Sequence, residues 1–209
     1  MWVIKLGGSL LGQPELPQWL NALTRFGDGK IVIVPGGGLF ADAVREAQAE
    51  TLIADGLAHE MAVMAMDQYA MLMTGLNPDL VMAASELEIA ESGWQHRAIV
   101  WKPSSMVLAD SHLPRNWDLT SDSLAAWLAT KLNAEHLLIV KSIAQITEKN
   151  LYVEDLIESG VVDRYFGHYA CHQSFRTWLL TKSEFIKINR LITHQSAPSM
   201  GVEIVSRGK

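Results

Sequence analysis

The stretch Trp2-Val-Ile-Lys5-Leu-Gly7-Gly8-Ser9-Leu10 decides how the rest of the chain is read. It opens as an apolar run suited to a buried strand, and Lys5 interrupts that run just before two glycines. An ammonium taken out of water without a partner is costly, so a lysine here needs an anion or a path to solvent. Two adjacent glycines let the backbone turn sharply and approach another group closely. The N–H groups of such a turn form an anion site, and the lysine adds a full positive charge beside it. Two readings fit these residues: a phosphate cradle, or a tight strand–helix turn with a snorkelling lysine.

A second stretch repeats the pattern. Lys30-Ile-Val-Ile-Val34 is an apolar, β-branched run, as in a strand buried on both faces of a parallel sheet. It leads into Pro35-Gly36-Gly37-Gly38 and then a helical pattern over residues 39–49. Two strand–glycine–helix units in succession predict an α/β protein with a parallel sheet. Ligands of such sheets sit outside the carboxyl ends of the strands. The two glycine turns then form one rim with two phosphate-sized niches.

Composition narrows the possibilities. The chain has 209 residues, 49% hydrophobic and 19% charged, enough for one domain with a sizeable core. A net charge of −6 and the lack of a basic cluster argue against nucleic-acid or membrane-surface binding. The single cysteine, Cys171, excludes an internal disulfide and suits a reducing compartment. No apolar run approaches the ~18 residues needed to span a membrane, and no leader pattern opens the sequence, so the expected location is cytoplasmic.

Along the chain, periodicity predicts helices over residues 14–26, 41–48, 58–74, 80–90 and 151–159. Strands are expected over 97–101, 105–108, 137–140, 185–188 and 202–205, and a loop over 54–56. The 58–74 helix is rich in methionine, which suits a core or an interface between lobes. His59 and Glu60 near its start read equally as first-turn helix partners, while Glu60 and Asp67 share a face. Strand 137–140 ends in Lys141-Ser142, a second lysine at a strand's carboxyl end, which suits a substrate with several negative charges. His168, Cys171 and His172 are spaced like metal ligands, but no second pair accompanies them, and no metal site is assigned.

The third informative stretch is Asn116-Trp-Asp118-Leu-Thr120-Ser121-Asp122-Ser123, followed by a helical run. Thr120 or Ser121 can cap that helix, with Asp122 in its first turn near the positive end of the dipole. Asp118, Thr120, Ser121, Asp122 and Ser123 together put more polar side chains at one helix mouth than a cap needs. An aspartate held there beside phosphate loops would orient lysines and Mg²⁺-bound phosphates.

Lys-x-Gly-Gly-Ser on the first strand, Pro-Gly-Gly-Gly after the second, and a Thr-x-Asp helix start before an apolar strand resemble the amino acid kinase superfamily over residues 5–146. That superfamily includes acetylglutamate, uridylate, aspartate and isopentenyl phosphate kinases. Ala58-His59-Glu-Met61-Ala62, Ala65-Met66-Asp67-Gln68-Tyr69, Trp117-Asp-x-Thr120-Ser121-Asp122-Ser123 and Val140-Lys141-Ser142 are similar to its branch acting in methanofuran biosynthesis. The resemblance implies a three-layer αβα sandwich with an open, mainly parallel sheet and transfer of the γ-phosphoryl of ATP-Mg. For that branch the acceptor is aminomethylfuranmethyl phosphate and the product its diphosphate.

The resemblance also implies roles. Lys5 would contact the transferring phosphoryl, and Gly7, Gly8 and Ser9 would donate to ATP phosphates. Gly36, Gly37 and Gly38 would hold the acceptor's phosphate. Asp122 would orient Lys5 and Lys141, with Lys141 and Ser142 on the nucleotide side. His59, Asp118, Thr120 and Ser121 would lie where relatives bind substrate. Residues 1–209 would form one domain, with an acceptor-binding and oligomerisation lobe to about residue 130 and a shortened nucleotide lobe beyond it. Relatives pair through helices of the first lobe, which points to residues 61–73 and a homo-oligomer. The chain departs from many members in carrying Lys141-Ser142 where they have Ser/Thr-Asp. No Gly-Gly-Met…Lys segment aligns, Lys182 being the nearest lysine.

Two other classes compete. A non-catalytic nucleotide- or oxyanion-binding protein of the same fold would not need Lys5, Asp122 and Lys141 together. A dinucleotide-dependent oxidoreductase would need Gly-x-Gly-x-x-Gly and an acidic residue at a second strand end, and the sequence has neither.

Overall fold

The computed structural model describes residues 1–143, 150–171, 174–193 and 201–207. In chain order the elements are β1 (Trp2–Leu6), α1 (Glu15–Gly27), β2 (Ile31–Pro35), α2 (Gly38–Thr51), α3 (Asp55–Leu76), β3 (Leu80–Ala83), α4 (Glu86–Trp94), β4 (Ala98–Trp101), α5 (Ser104–Ala109) and α6 (Ser121–Lys131). There follow β5 (His136–Lys141), β6 (Asn150–Tyr152), α7 (Val153–Glu158), α8 (Phe166–Ala170), β7 (Arg176–Thr181), α9 (Ile188–Thr193) and β8 (Val202–Val205). Short 3₁₀ turns cover Gly8–Leu10 and Lys182–Lys187.

One eight-stranded sheet runs in the order β3-β4-β2-β1-β5-β7-β8-β6. Neighbours are parallel except β7 and β8, which are antiparallel. Helices cover both faces, giving an αβα sandwich. Every residue of β1 and β2 is buried, which explains their apolar sequences, broken only by Lys5. The pleat sends successive side chains to opposite faces. Val3, Val34 and Ile139 therefore join one core with Val107 of α5 and Leu124 and Leu128 of α6. Ile4, Ile33 and Leu138 join the other with Trp19 and Leu20 of α1 and Tyr69 of α3.

This alternation positions the charges. Lys5 pairs in register with Ile139, and Lys141 stands two residues further along β5. The two lysines consequently leave the sheet on the same face, the one covered by α6.

Five expectations are corrected. Residues 80–90 are not one helix: Leu80–Ala83 is β3, and the helix starts at Glu86 after Ser85, whose hydroxyl accepts the Glu88 N–H. Parallel pairing with β4 overrides the helix start suggested by Asn77-Pro78-Asp79. Residues 105–108 lie in α5 and not in a strand, because Asp67 of α3 accepts the Ser104 N–H and hydroxyl and so caps the helix from outside its own sequence. Residues 185–188 belong to the 3₁₀ turn and the start of α9. The strand of that region is β7, and Glu184 accepts the Thr181 N–H where the turn follows it. The helix expected from residue 151 begins at Val153 after β6, and the loop expected over 54–56 already holds the start of α3 at Asp55.

Candidate active site

β1, β2 and β5 run parallel, so their carboxyl ends meet at one rim. On its β1–β2 side the glycine turns lie directly against each other. A Cβ on Gly8 would stand 2.2 Å from the Gly38 nitrogen, and one on Gly36 would stand 2.3 Å from the Gly8 nitrogen. No side chain fits at either position. Gly38 also adopts φ +56, a left-handed conformation that favours glycine. Gly7 differs: a Cβ there would meet the Lys5 Nζ, the Ser9 Oγ and a backbone oxygen at 3.5 Å, ordinary contact.

On the β1–β5 side the rim is charged. The Asp122 carboxylate stands between both lysines, 2.8 Å from Lys5 Nζ and 2.6 Å from Lys141 Nζ. Lys5 and Asp122 are buried, with side-chain exposures of 6% and 5%, while Lys141 reaches 18%. Burial works against ionising Asp122, but the two ammonium groups outweigh it and hold the carboxyl below its usual range. For Lys141 the balance falls the other way. Burial and the charge of Lys5 bring its pKa down to about 8, against the attraction of Asp122. One carboxylate between two ammonium groups leaves a net positive charge, which a polyphosphate would neutralise. Ser9 Oγ and Ser142 Oγ lie 2.9 Å apart and join the two strand ends across this charged group.

Asp122 is placed by a residue the sequence reading did not single out. Thr120 occupies the N-cap position of α6, yet its side chain makes no capping bond. Asp163 caps the helix instead. One of its oxygens accepts the Thr120 N–H, the Ser123 N–H and the Thr120 hydroxyl at 3.0, 3.0 and 2.7 Å, and the other accepts the Ser123 hydroxyl. Burial and the nearby Asp122 charge raise the Asp163 pKa, while the donors from Ser123 and Thr120 favour its charged form. The positive end of α6 is thus occupied by a protein carboxylate, and ligand anions are left to the lysines and glycine turns.

Between the second glycine turn and α6 lies a cavity of about 340 Å³. Its walls include Gly8, Ser9, Gly37, Gly38, Thr120 and Ser121, together with His59 from α3 and the apolar Val63, Met66, Leu119 and Leu124. Arg45 and Asp42 of α2 and Trp117 also line it. The Arg45 guanidinium lies 4.4 Å from the Trp117 ring centroid and pairs with Asp42 at 2.8 Å. None of these three was predicted as a site residue. The signal available was spacing: Asp42 and Arg45 share the exposed face of the helix that follows the triple glycine.

The remaining expectations fall as follows. Asp118 is half-exposed, faces Arg164 at 3.5 Å and is not among the residues lining the cavity. Gly7 and Gly36 shape the rim and do not line the cavity. Glu60 is paired with Arg115. Lys182 pairs with Glu15 at 3.3 Å. His168 packs edge-on to Tyr165 and Tyr169, Cys171 is a free thiol, and His172 lies outside the described residues. Among the described residues no three His, Cys, Asp or Glu side chains are grouped to hold a metal ion. Both Asp122 oxygens face ammonium groups and Asp163 is held by four donors. A protein-held Mg²⁺ therefore does not fit the described residues of this rim. Among the described residues no helix is long and apolar enough to cross a membrane.

A parallel sheet whose carboxyl rim joins two glycine turns to a lysine–carboxylate–lysine group has the charge and shape that phosphoryl transfer needs. The chain belongs to the amino acid kinase family, whose model it matches over residues 1–159. It is 27% identical over 151 residues to the [5-(aminomethyl)furan-3-yl]methyl phosphate kinase of Methanocaldococcus jannaschii, covering 71% of this chain and 69% of that protein. Solved structures with this fold include the uridylate kinase of Archaeoglobus fulgidus, with a TM-score of 0.71, 15% identity and 98% of each chain covered. The UMP kinase of Ureaplasma parvum superposes with a TM-score of 0.69 and 13% identity, over 99% of this chain and 98% of that one. The chain is a kinase.

Proposed function

We propose that this kinase uses ATP-Mg to phosphorylate a small phosphate-bearing acceptor, [5-(aminomethyl)furan-3-yl]methyl phosphate, giving the diphosphate. The observation that carries the reading is the cavity: it opens on the Gly37–Gly38 turn and is walled by Val63, Met66, Leu119 and Leu124, which suits a phosphate joined to a flat apolar ring. The identity to the M. jannaschii enzyme supports the same acceptor.

In this reading the acceptor's phosphate rests on the backbone N–H groups of Gly37 and Gly38, while Gly36, whose N–H donates to the Leu6 carbonyl oxygen at 2.9 Å, shapes the turn that presents them. The ATP phosphates lie against Gly7, Gly8, Ser9, Lys141 and Ser142. An acceptor phosphate oxygen attacks the γ-phosphorus, the bond to the β–γ bridging oxygen breaks, and ADP leaves. That oxygen is already ionised, so no general base is needed. The protein's task is to align two anions and offset charge on the moving phosphoryl, which Lys5 does from its position against Asp122. Residues to about 130 serve the acceptor and those beyond it the nucleotide. Leu57, Met64 and Met71 repeat every seven residues along α3 and are each more than half exposed, which supports pairing of two copies there; light scattering on the purified protein tests it.

The test of function is ADP release with ATP-Mg and the furan phosphate, against uridylate, acetylglutamate and isopentenyl phosphate. Turnover with the furan phosphate alone is the expected result. Turnover with another acceptor overturns the substrate, and ATP binding without any turnover overturns the catalytic reading.

A further inference from the structure

Asp42, Arg45 and Trp117 line the cavity, and no step above uses them. Gly38 opens α2, and Asp42 and Arg45 follow it by four and seven residues. Residues so spaced share one helix face, so the pair stands one and two turns beyond the phosphate seat. The Arg45 guanidinium lies over the Trp117 ring, 4.4 Å from its centroid, and Nη1 donates to Asp42 Oδ1 at 2.8 Å. A cation thus already sits between a carboxylate and an aromatic face at the cavity wall. Its hold is weak: Asp42 is 67% exposed and Arg45 51%, and an ion pair so exposed contributes little. The indole does not depend on Arg45. Trp117 Nε1 donates to Gln48 Oε1 at 2.7 Å, and Gln48 Nε2 in turn donates to Asp55 Oδ1 at 2.7 Å. The ring therefore keeps its place when the guanidinium leaves.

We infer that this cluster is the subsite for a cationic end of the acceptor: an ammonium replaces the Arg45 guanidinium between Asp42 and Trp117, and Arg45 turns out to solvent. This rests on the reading above that the cavity holds the acceptor, with its phosphate at Gly37 and Gly38. Both partners select positive charge. The carboxylate does so through charge-assisted hydrogen bonds, the indole through the negative face of its ring. A methyl group in the ammonium's place gains from neither. The acceptor then lies along α2, its anion at the helix start, where the dipole favours negative charge, and its cation at least one turn further on. The arrangement sets orientation as well as identity, because a molecule bound the wrong way round would place its phosphate beside Asp42. Arg45 is a built-in competitor that occupies the cation site until an acceptor arrives.

The experiment compares two acceptors, the aminomethyl furan phosphate and its analogue with methyl in place of aminomethyl, on wild type, Asp42→Asn and Arg45→Ala. Wild type is expected to favour the amine by about 10- to 100-fold in kcat/KM, mostly through KM. Asp42→Asn keeps the shape and removes the charge, and should cut that preference by about tenfold or more. Arg45→Ala removes the competing cation and should lower the KM of the amine about three- to fivefold. No preference in wild type, or one that survives Asp42→Asn, overturns the inference. So does a KM that Arg45→Ala raises or leaves unchanged: the first would mean that the guanidinium binds the acceptor, the second that it never leaves the ring. Both side chains are exposed, so both variants should fold, which thermal melting checks. If wild type turns over neither furan phosphate, the acceptor assignment has failed on its own. The subsite is then read without turnover, from the ¹⁵N–H signal of the Trp117 indole, identified by its loss in Trp117→Phe, on adding benzylammonium or benzyl alcohol. A shift with benzylammonium alone, lost in Asp42→Asn, supports the subsite, and any other pattern overturns it.

Discussion

The two sides of the strand-end rim solve the same problem by opposite means. Between β1 and β2 the rim is made by removing side chains, so that two backbone turns close to within 2.2–2.3 Å of where any Cβ would stand. Between β1 and β5 it is made by adding them, two ammonium groups on one carboxylate. The glycine side offers fixed dipoles and cannot change its charge. The lysine side offers full charges whose strength depends on burial and protonation. A phosphoryl group passing between two anions needs both: a rigid backbone seat for charge already present, and mobile cations for charge that shifts during transfer.

The largest effect tests whether the charged side is the catalytic one. Asp122→Asn leaves Lys5 and Lys141 facing each other without the shared carboxylate. We expect kcat to fall by about 10³-fold in an ADP-release assay, on the scale of losing a transition-state donor, with ATP binding by calorimetry changed far less. A drop below tenfold would mean the lysines hold their places unaided.

Next comes a comparison within the glycine side. Gly8→Ala drives a Cβ into the Gly38 backbone, and should lower kcat/KM by about 10²-fold through displacement of the rim. Gly7→Ala meets only ordinary contacts and should cost less than tenfold. Equal effects would show that backbone freedom, not space, is what glycine supplies there.

A pH series separates the sides again. Lys141 loses its proton at about 8 in the folded chain, against roughly 10.4 for an ordinary lysine. Activity of the free enzyme, as kcat/KM, should therefore fall above about pH 8, and Lys141→Arg should remove that alkaline limb. Stability moves the other way. Between about pH 8 and 10.4 the unfolded chain binds more protons at this residue than the folded one, so its contribution to stability rises across that window. Denaturant titrations at pH 8 and 10 check the sign.

The smallest effect concerns the brace behind Asp122. Asp163→Asn keeps the shape but replaces one acceptor oxygen with an N–H₂ facing the α6 donors. We expect kcat to fall about tenfold and stability by about 1–3 kcal/mol, the first by ADP release and the second by urea unfolding.

This contrast also explains what was legible in the sequence. Gly7, Gly8 and Gly36–Gly38 announce themselves because clustered glycines after an apolar run mark a sharp turn wherever its partner lies, and β1 and β2 were readable from their apolar runs. The lysine pair was half legible: two strand ends carry lysines, but only the β1–β5 register shows that both face α6. Asp163 and the capping role of Asp67 were hidden because their partners lie far along the chain. Asp67 caps a helix that starts 37 residues later, and Asp163 caps one that starts 40 or so earlier. The same cause misplaced the 105–108 segment, where an outside carboxylate made a helix of residues that alone look extended.

The cap supplied by Asp163 also has a consequence for the order in which the protein is made. The match to the family model ends at residue 159, yet the helix start that carries Asp122 is sealed by a side chain beyond that point. A nascent chain emerging from the ribosome can pair β1, β2 and β5 and still present four bare donors at α6. The helix start that carries Asp122 is braced only once Asp163 is in place.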